Sequence, residues 1–326
     1  MNPKEISIGV VGLGLMGSSI TTCLLMAGHP VIAIAPVESD LQFAEKRIKD
    51  HLVMARHEGL VKHTPGFYLK NLTITGDYAS LANCALVIEC TLEDLAIKKS
   101  VFKKIEAVIK PDALLTSNTS AIPITVLQKE TQYPKRFFGL HWMEPSHTTR
   151  FLEIICGDLS DVAGGEYLYQ LSQGWGKEPI LLRKDIRGFI TNRLMYAMYR
   201  EAFYLVENEF ATIEDIDRAC RTVPGYWMTF CGLFRWMDLT GVPAYHAVMK
   251  DLFPTLCNST EVPKLIDDIV KAGGKGVANA QGFHDYTPEE ASLWAETYKA
   301  FSYDIRKLAS KYPADVVKKK IKKPKK

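Results

Sequence analysis

The sequence of 326 residues predicts an α/β domain with a doubly wound parallel sheet, followed by an all-α domain. Three observations support this fold class. Up to about residue 185, short apolar runs alternate with helical segments, as in a parallel sheet covered by helices. A glycine-rich turn joins the first apolar run to the first helix. Beyond residue 185 only helical segments follow.

The first domain is predicted to begin with a strand, a helix and a second strand. Residues 6–11 and 31–35 are uncharged and largely apolar, which is typical of parallel strands covered on both faces. The helix between them, residues 15–27, is followed by Gly28, a residue common just past helix ends. Further strands are predicted at residues 72–75, 85–89, 113–116, 137–141 and 152–156, and helices at 40–60, 95–109 and 165–173.

The second domain is predicted to contain helices only, at residues 189–207, 213–221, 243–252, 261–272 and 288–311. Seven of the last nine residues are lysines, and subtracting their charges from the net +3 leaves −4 on the rest of the chain. A disordered basic tail is therefore expected. The predicted divisions are residues 1–186, 187–312 and, for the tail, 313–326.

Composition excludes several classes of protein. With 47% apolar and 24% charged residues, the chain resembles a globular protein, not a disordered or multi-spanning membrane protein. Seven cysteines without a C-x-x-C pair predict reduced thiols, no metal site and a cytoplasmic location. The uncharged stretch 6–37 is interrupted by glycines, which argues against a membrane segment. Nucleic acid is not an expected partner, because no aromatic residue lies among the terminal lysines to stack on a base.

The turn after the first strand has the pattern G-x-G-x-x-G. It consists of Gly12, Leu13, Gly14, Leu15, Met16 and Gly17. The first glycine permits the tight turn, the second allows a pyrophosphate close to the backbone, and the third allows helix and strand to pack. In this strand–turn–helix context the pattern predicts a Rossmann-type domain that binds a dinucleotide at the helix N-terminus.

The end of the second predicted strand bears on the choice between NAD and NADP. An acidic residue there binds the 2′-hydroxyl of NAD, and an arginine accommodates the 2′-phosphate of NADP. This chain has Ala35 at that place, with Glu38 and Asp40 slightly later and no arginine beside them. We therefore expect NAD, and NADP stays open.

A candidate acid–base pair lies at the ends of two later strands. His141 ends the predicted strand 137–141, and Glu153 follows twelve residues later on the next strand. A histidine with a carboxylate on a neighbouring strand is a candidate general base with the group that orients it. Ser120 follows the strand 113–116, and Asn192 lies in the first turns of the helix that opens the second domain.

Together these motifs resemble the 3-hydroxyacyl-CoA dehydrogenase family over nearly the whole chain. Besides the glycine turn, the resemblance includes the E-x-x-x-E-x-x-x-x-K stretch with Glu93 and Lys98, the S-N-T-S segment at 117–120 and the histidine–glutamate spacing. It also includes the G-F-x-x-N-R segment with Asn192 and the Gly-Phe pair at 282–283.

The resemblance implies a mechanism and a set of partners. His141 would take the proton of a 3-hydroxyl group, Glu153 would hold its ring, and Ser120 and Asn192 would donate to the substrate oxygen. Glu93, Lys98, Ser120 and Glu144 would contact the cofactor. A small molecule, an L-3-hydroxyacyl-CoA, would be the substrate, with a role in fatty acid metabolism. The family also implies a homodimer formed through the helical domain.

Several positions depart from the family pattern and leave the substrate open. Glu144 replaces an asparagine, and Arg187 replaces a proline. The segment 225–232 is more similar to the branch of λ-crystallin-type gulonate dehydrogenases and carnitine dehydrogenases, which use small hydroxy acids. Arg150 and Arg187 would suit a substrate carboxylate, or would pair locally with Glu144 and Asp185. A nucleotide-binding protein without catalysis is a further alternative.

Overall fold

The computed structural model describes residues 2–313 and 315–322. Two compact units divide the chain, Met1–Ile190 and Thr191–Lys326. The sequence placed this boundary a few residues earlier, at residue 186.

The first unit is built on one sheet of eight strands in the order 3-2-1-4-5-6-7-8. Its strands are β1 Ile8–Val11, β2 Val31–Ile34, β3 Leu72–Thr75, β4 Leu86–Glu89, β5 Leu114–Ser117, β6 Phe137–His141, β7 Phe151–Cys156 and β8 Glu178–Leu182. Strands β1 to β6 are parallel, and β7 and β8 run the other way. The order reverses between β1 and β4, and in such sheets the ligand binds at the carboxyl ends of the strands at this point.

Helices cover the sheet and bury its apolar strands. They are α1 Leu15–Ala27, α2 Glu38–His57, α3 Pro65–Leu69, α4 Leu95–Glu106, α5 Ile124–Gln128 and α6 Val162–Gln173. The predicted Rossmann-type fold is confirmed, but β8, α3 and α5 were missed. Strand β8 has Pro179 as its second residue, and proline is depleted in strands except at edges such as this one. The short helices α3 and α5 have five residues each, too few for a helical repeat to show in the sequence.

The second unit is helical, as predicted. Its helices are α7 Thr191–Glu207, α8 Ile213–Thr222, α9 Pro224–Met228, α10 Leu233–Thr240, α11 Val242–Leu252, α12 Lys264–Lys271, α13 Pro288–Ser310 and α14 Val316–Lys322. Within its described residues, strand pairing is limited to isolated bridges between residues 276 and 285. Helix α7 was expected to begin at residue 189. It begins two residues later because Gly188 and Phe189 adopt the left-handed conformation, with φ of 81° and 52°.

The lysine-rich end differs from the expected disordered tail. Residues Val316–Lys322 form α14, in which Lys319 pairs with Asp315 at 2.9 Å across one helical turn. Lysine has a good helix propensity, so a basic composition does not by itself prevent a helix. Residue 314 and residues 323–326 of the predicted tail lie outside the described part of the chain.

Two further expectations concern cysteines and membranes. All seven cysteines are free thiols. Among the described residues, no helix combines the length and the hydropathy that are needed to cross a bilayer. The same part of the chain contains no cluster of three or more histidine, cysteine or acidic side chains that could hold a metal ion.

Candidate active site

The glycine turn between β1 and α1 has the shape that a dinucleotide requires. Gly12 has a φ of 97°, and a Cβ atom there would lie 2.8 Å from the carbonyl oxygen of Cys90. A Cβ atom on Gly17 would overlap the carbonyl oxygen of Gly12, so the close packing of helix and strand requires glycine. A Cβ atom on Gly14 would meet nothing within 4 Å, which leaves this backbone open to a ligand. The turn therefore fits a pyrophosphate at the N-terminus of α1.

The end of β2 carries no group that would select between the two cofactors. Ala35 follows the strand and is buried. Glu38 and Asp40 lie in the first turn of α2, and Asp40 accepts a hydrogen bond of 3.1 Å from Arg47 on the same helix. Asp40 is thus engaged in an ion pair with Arg47. Glu38 is the acidic residue closest in sequence to the end of β2, the place where the ribose of a dinucleotide is bound.

A buried ion pair lies where the sheet order reverses. Glu89, the last residue of β4, accepts hydrogen bonds of 2.9 and 3.0 Å from Lys98 on α4. Its side chain is 0% exposed and that of Lys98 is 1% exposed. Ser117, the last residue of β5, donates a hydrogen bond of 2.6 Å to the same carboxylate. The pair therefore joins β4, β5 and α4 at the carboxyl edge of the sheet.

Glu93 organises the S-N-T-S segment. One of its carboxylate oxygens accepts hydrogen bonds from the Thr119 hydroxyl at 2.5 Å and from the backbone N–H groups of Ser120 at 3.0 Å and Ala121 at 2.9 Å. Lys98 lies 3.4 Å from the other oxygen. Burial raises the pKa of Glu93, but the hydrogen bonds and the charge of Lys98 outweigh it, so the pKa is lowered. Glu93 is therefore an anion that fixes the backbone of Ser120.

His141 and Glu153 form a hydrogen-bonded pair. They are opposite residues of the antiparallel strands β6 and β7, and Nδ1 of His141 lies 2.8 Å from Oε2 of Glu153. An ionised carboxylate only accepts hydrogen bonds, so Nδ1 carries the proton and Nε2 of the neutral ring is the acceptor. His141 is 7% and Glu153 is 0% exposed. This arrangement has the geometry that a general base requires, with the ring oriented by the carboxylate and Nε2 as the proton-accepting nitrogen.

Two phenylalanines and one backbone group hold this pair. The ring centroids of Phe151 and Phe189 each lie 5.5 Å from that of His141. The backbone N–H of Ile190 donates a hydrogen bond of 3.1 Å to Oε1 of Glu153. Phe189 has a positive φ of 52°, which is unusual for a bulky residue and brings the next N–H toward the carboxylate. No pattern in the sequence indicates this backbone contact.

The turn between β6 and β7, residues 142–150, contains Arg150, whose ion-pair partner is not the one considered from the sequence. Arg150 was considered as a partner for Glu144, but it pairs with Glu178 at the start of β8. Strands β7 and β8 begin at the same edge of the sheet, and Glu178 N–H also donates to the carbonyl oxygen of Arg150 at 2.8 Å. Glu144 is half-buried, with its Oε2 atom inaccessible to solvent.

The structure also gives contacts or positions for Asp185, Asn192 and Asn118. Asp185, considered as a partner for Arg187, accepts a hydrogen bond of 2.8 Å from the backbone N–H of Thr125. Asn192 is the second residue of α7 and belongs to the second unit. Asn118 was not singled out, but its side chain accepts a hydrogen bond of 2.9 Å from the backbone of Trp142. It thereby connects the S-N-T-S segment to the residue after His141, and its place in that motif was the available signal.

The sheet order and the glycine turn define a dinucleotide-binding domain of the Rossmann type. Comparison with known proteins identifies the family. The NAD binding domain of 3-hydroxyacyl-CoA dehydrogenase matches residues 7–186, and the C-terminal domain of the same enzyme matches residues 188–286. The chain therefore belongs to the 3-hydroxyacyl-CoA dehydrogenase family, and it is an NAD-dependent oxidoreductase. The predicted resemblance and the predicted cofactor are both confirmed.

Individual relatives differ in their substrates. The 5-formyl-3-hydroxy-2-methylpyridine 4-carboxylate 5-dehydrogenase of Mesorhizobium japonicum is 31% identical over 292 residues, 89% of this chain and 94% of that protein. A crystal structure of an enzyme of that name, described as an NAD⁺-dependent dismutase, has a TM-score of 0.88 and 27% identity, covering 94% of this chain and 99% of its own. The 3-hydroxybutyryl-CoA dehydrogenase of Mycobacterium tuberculosis is 31% identical, over 86% of this chain and 98% of that protein.

Proposed function

We propose that this enzyme interconverts an L-3-hydroxyacyl-CoA and its 3-oxoacyl-CoA, with His141 as the base and Glu153 as its partner. The observation that carries the proposal is the 2.8 Å contact between Nδ1 of His141 and Oε2 of Glu153. It leaves Nε2 to take the proton of the substrate hydroxyl. The membership of the family and the several 3-hydroxybutyryl-CoA dehydrogenases among the relatives support the acyl-CoA substrate.

The residues around the pair define what each group contributes. Glu153 stabilises the imidazolium that forms when His141 takes a proton, and the N–H of Ile190 keeps the carboxylate in place. Glu93 fixes Ser120, which would donate to the substrate oxygen as the resemblance implies. NAD bound at the glycine turn would supply the acceptor for the hydride that leaves C3 of the substrate. Asn192 as a second donor, and Lys98 and Glu144 as cofactor contacts, stay predictions from the resemblance.

A second candidate is a small free hydroxy acid or a related free carboxylate. It is favoured by the similarity in sequence and structure to an enzyme named for a free pyridine carboxylate. Arg150 is held by Glu178, which makes it a weaker carboxylate ligand than the sequence suggested. Arg187 lies two residues before Phe189 and is exposed. It is the second arginine that the sequence offers for a substrate carboxylate, and the variant Arg187→Ala tests this role.

A substrate panel separates these candidates. NADH and NADPH oxidation would be measured with acetoacetyl-CoA and with free 3-oxo acids, for the wild type and for Arg187→Ala. Turnover of acetoacetyl-CoA alone, unaffected by Arg187→Ala, supports the acyl-CoA reaction. Turnover of a free acid whose KM rises in Arg187→Ala supports the alternative. NADH binding without turnover of any substrate would indicate a nucleotide-binding protein that lacks catalysis.

We also propose that the protein is a cytoplasmic homodimer. Free cysteines support the location. In the described part of the second unit, helices α7 to α12 have no fully buried residue. Tyr196 and Tyr199 on α7 are 67% and 47% exposed, which is typical of a surface that a partner covers. Light scattering after size-exclusion chromatography tests the dimer, and a monomeric mass at micromolar concentration would contradict it.

A further inference from the structure

A group of buried polar side chains connects the cofactor helix to the turn between His141 and Glu153. The hydroxyl of Ser19, on α1, accepts a hydrogen bond of 2.8 Å from the backbone N–H of Ser146. The same hydroxyl lies 3.0 Å from Nδ1 of His147. Ser19 and Ser146 are 0% exposed and His147 is 4% exposed. No motif of the sequence and no step of the proposed reaction uses these residues.

Other contacts support the same turn. The ring of His147 stacks on that of His51 from α2, with centroids 4.5 Å apart and planes at 22°. Lys177, which precedes β8, donates hydrogen bonds to the carbonyl oxygens of Ser146 and Thr149, the second at 2.6 Å. The peptide groups on both sides of Ser146 are therefore held, its N–H by α1 and its carbonyl by the residue before β8.

The place of Ser19 gives this contact a consequence for the reaction. Ser19 lies two residues after Gly17, the last glycine of the nucleotide turn. The turn that it holds begins directly after His141 and leads into β7, which carries Glu153. Hydride transfer requires the proton acceptor and the cofactor to be held in a fixed relation, and misplacement by about 1 Å can lower the rate about 100-fold.

We propose that Ser19 is a positioning residue that fixes the turn between His141 and Glu153 to the helix of the cofactor site. Its single hydroxyl serves two buried partners, the Ser146 N–H and the His147 ring. Removing it leaves both groups buried without that partner, and the turn is expected to move to satisfy them. The inference rests on the proposed role of His141 and Glu153.

The test compares Ser19→Ala with a control variant that removes another buried serine hydroxyl from the same unit. Ser172 is also a helical serine with 0% exposure, and its hydroxyl donates only to the carbonyl oxygen of Tyr169, 3.1 Å away on the same helix. Both variants lose one buried hydroxyl, and both are expected to melt at a slightly lower temperature. With acetoacetyl-CoA, or with the free acid that the panel identifies, Ser19→Ala is expected to lower kcat by about 10- to 100-fold. Ser172→Ala is expected to keep kcat.

Three measurements separate positioning from a loss of stability or of cofactor binding. The dissociation constant of NADH, followed by fluorescence, should stay within about threefold, because Ser19 does not line the glycine turn. The isotope effect on kcat with NADH deuterated at the transferred position should rise, because hydride transfer becomes the slower step. His147→Leu should also lower kcat. The fold-decrease in kcat of the double variant Ser19→Ala/His147→Leu should be smaller than the product of the fold-decreases in the two single variants.

Several results would overturn the inference. A Ser19→Ala variant that melts earlier but keeps kcat, or that loses only NADH affinity, would show a structural or a cofactor-binding role. Independent losses in the double variant would show that Ser19 does not act through the turn. If Ser19→Ala does not fold, Ser19→Cys replaces it, and a wild-type kcat would overturn the proposal. If His141→Ala keeps its activity, the proposed base fails. A loss in His141→Ala with wild-type kcat in Ser19→Ala refutes only the positioning role.

Discussion

Replacing Lys98 by methionine would leave the carboxylate of Glu89 buried without its cation. The two side chains are 1% and 0% exposed and are joined by hydrogen bonds of 2.9 and 3.0 Å. Removing one partner of such a pair costs about 3–5 kcal/mol, because the remaining charge is neither solvated nor paired. The hydrogen bonds from Ser117 and Thr91 stay in place but carry no positive charge.

This loss can be measured as a fall in the melting temperature. For a unit of about 190 residues, 1 kcal/mol corresponds to roughly 2–4 °C, so Lys98→Met should melt about 6–20 °C earlier than the wild type. The double variant Glu89→Gln/Lys98→Met is the control. It removes both charges and is expected to recover most of the loss.

Two results would contradict this explanation. If Lys98→Met melts within about 2 °C of the wild type at pH 8, the reasoning that the pair is desolvated is refuted. A double variant that is no more stable than Lys98→Met would contradict the explanation by charge.

Three further predictions concern the cofactor, the contact that holds Glu153 and stability in acid. Ala35→Asp should raise the preference for NAD over NADP by at least about tenfold in kcat/KM, because the carboxylate repels a 2′-phosphate; unchanged selectivity would place ribose recognition elsewhere. Phe189→Val should lower kcat more than Phe189→Gly. The φ of 52° at residue 189 directs the N–H of Ile190 to Glu153, and a β-branched residue resists this conformation whereas glycine adopts it. Equal kcat values in the two variants would argue against this role. Glu93→Gln should lower the melting temperature at pH 7 but not well below pH 4.5. The pKa of Glu93 is lowered in the folded state, so the ionised carboxylate stabilises the fold, and this stability is lost as the pH falls through that pKa. A fall in melting temperature that does not depend on pH would contradict this explanation.

The first part of the fold was predictable because its signals are local. Glycines at residues 12, 14 and 17 between two apolar runs specify a strand, a turn and a helix, and the structure has β1, α1 and β2 there. The spacing of His141 and Glu153 also predicted neighbours on adjacent strands, and the antiparallel register makes them opposite residues.

The errors at the other edge of the sheet have one origin. Strand β8 was not predicted because it contains Pro179, and β8 is the strand that brings Glu178 beside Arg150. Without that strand the sequence offered Glu144 as a nearby partner for Arg150. The contact between Ile190 N–H and Glu153 was hidden for a different reason. It depends on the left-handed conformation of Phe189, which the sequence does not indicate for a bulky aromatic residue.

The proposed reaction depends most directly on His141, and one measurement tests the role of this residue. The turnover of His141→Ala would be compared with that of the wild type, with NADH affinity measured on the same samples. We predict that kcat falls by about 10²–10⁴, the usual contribution of a positioned base, while the dissociation constant of NADH barely changes. Weakened NADH binding with turnover intact would contradict the account and show that the hydrogen bond between His141 and Glu153 is structural.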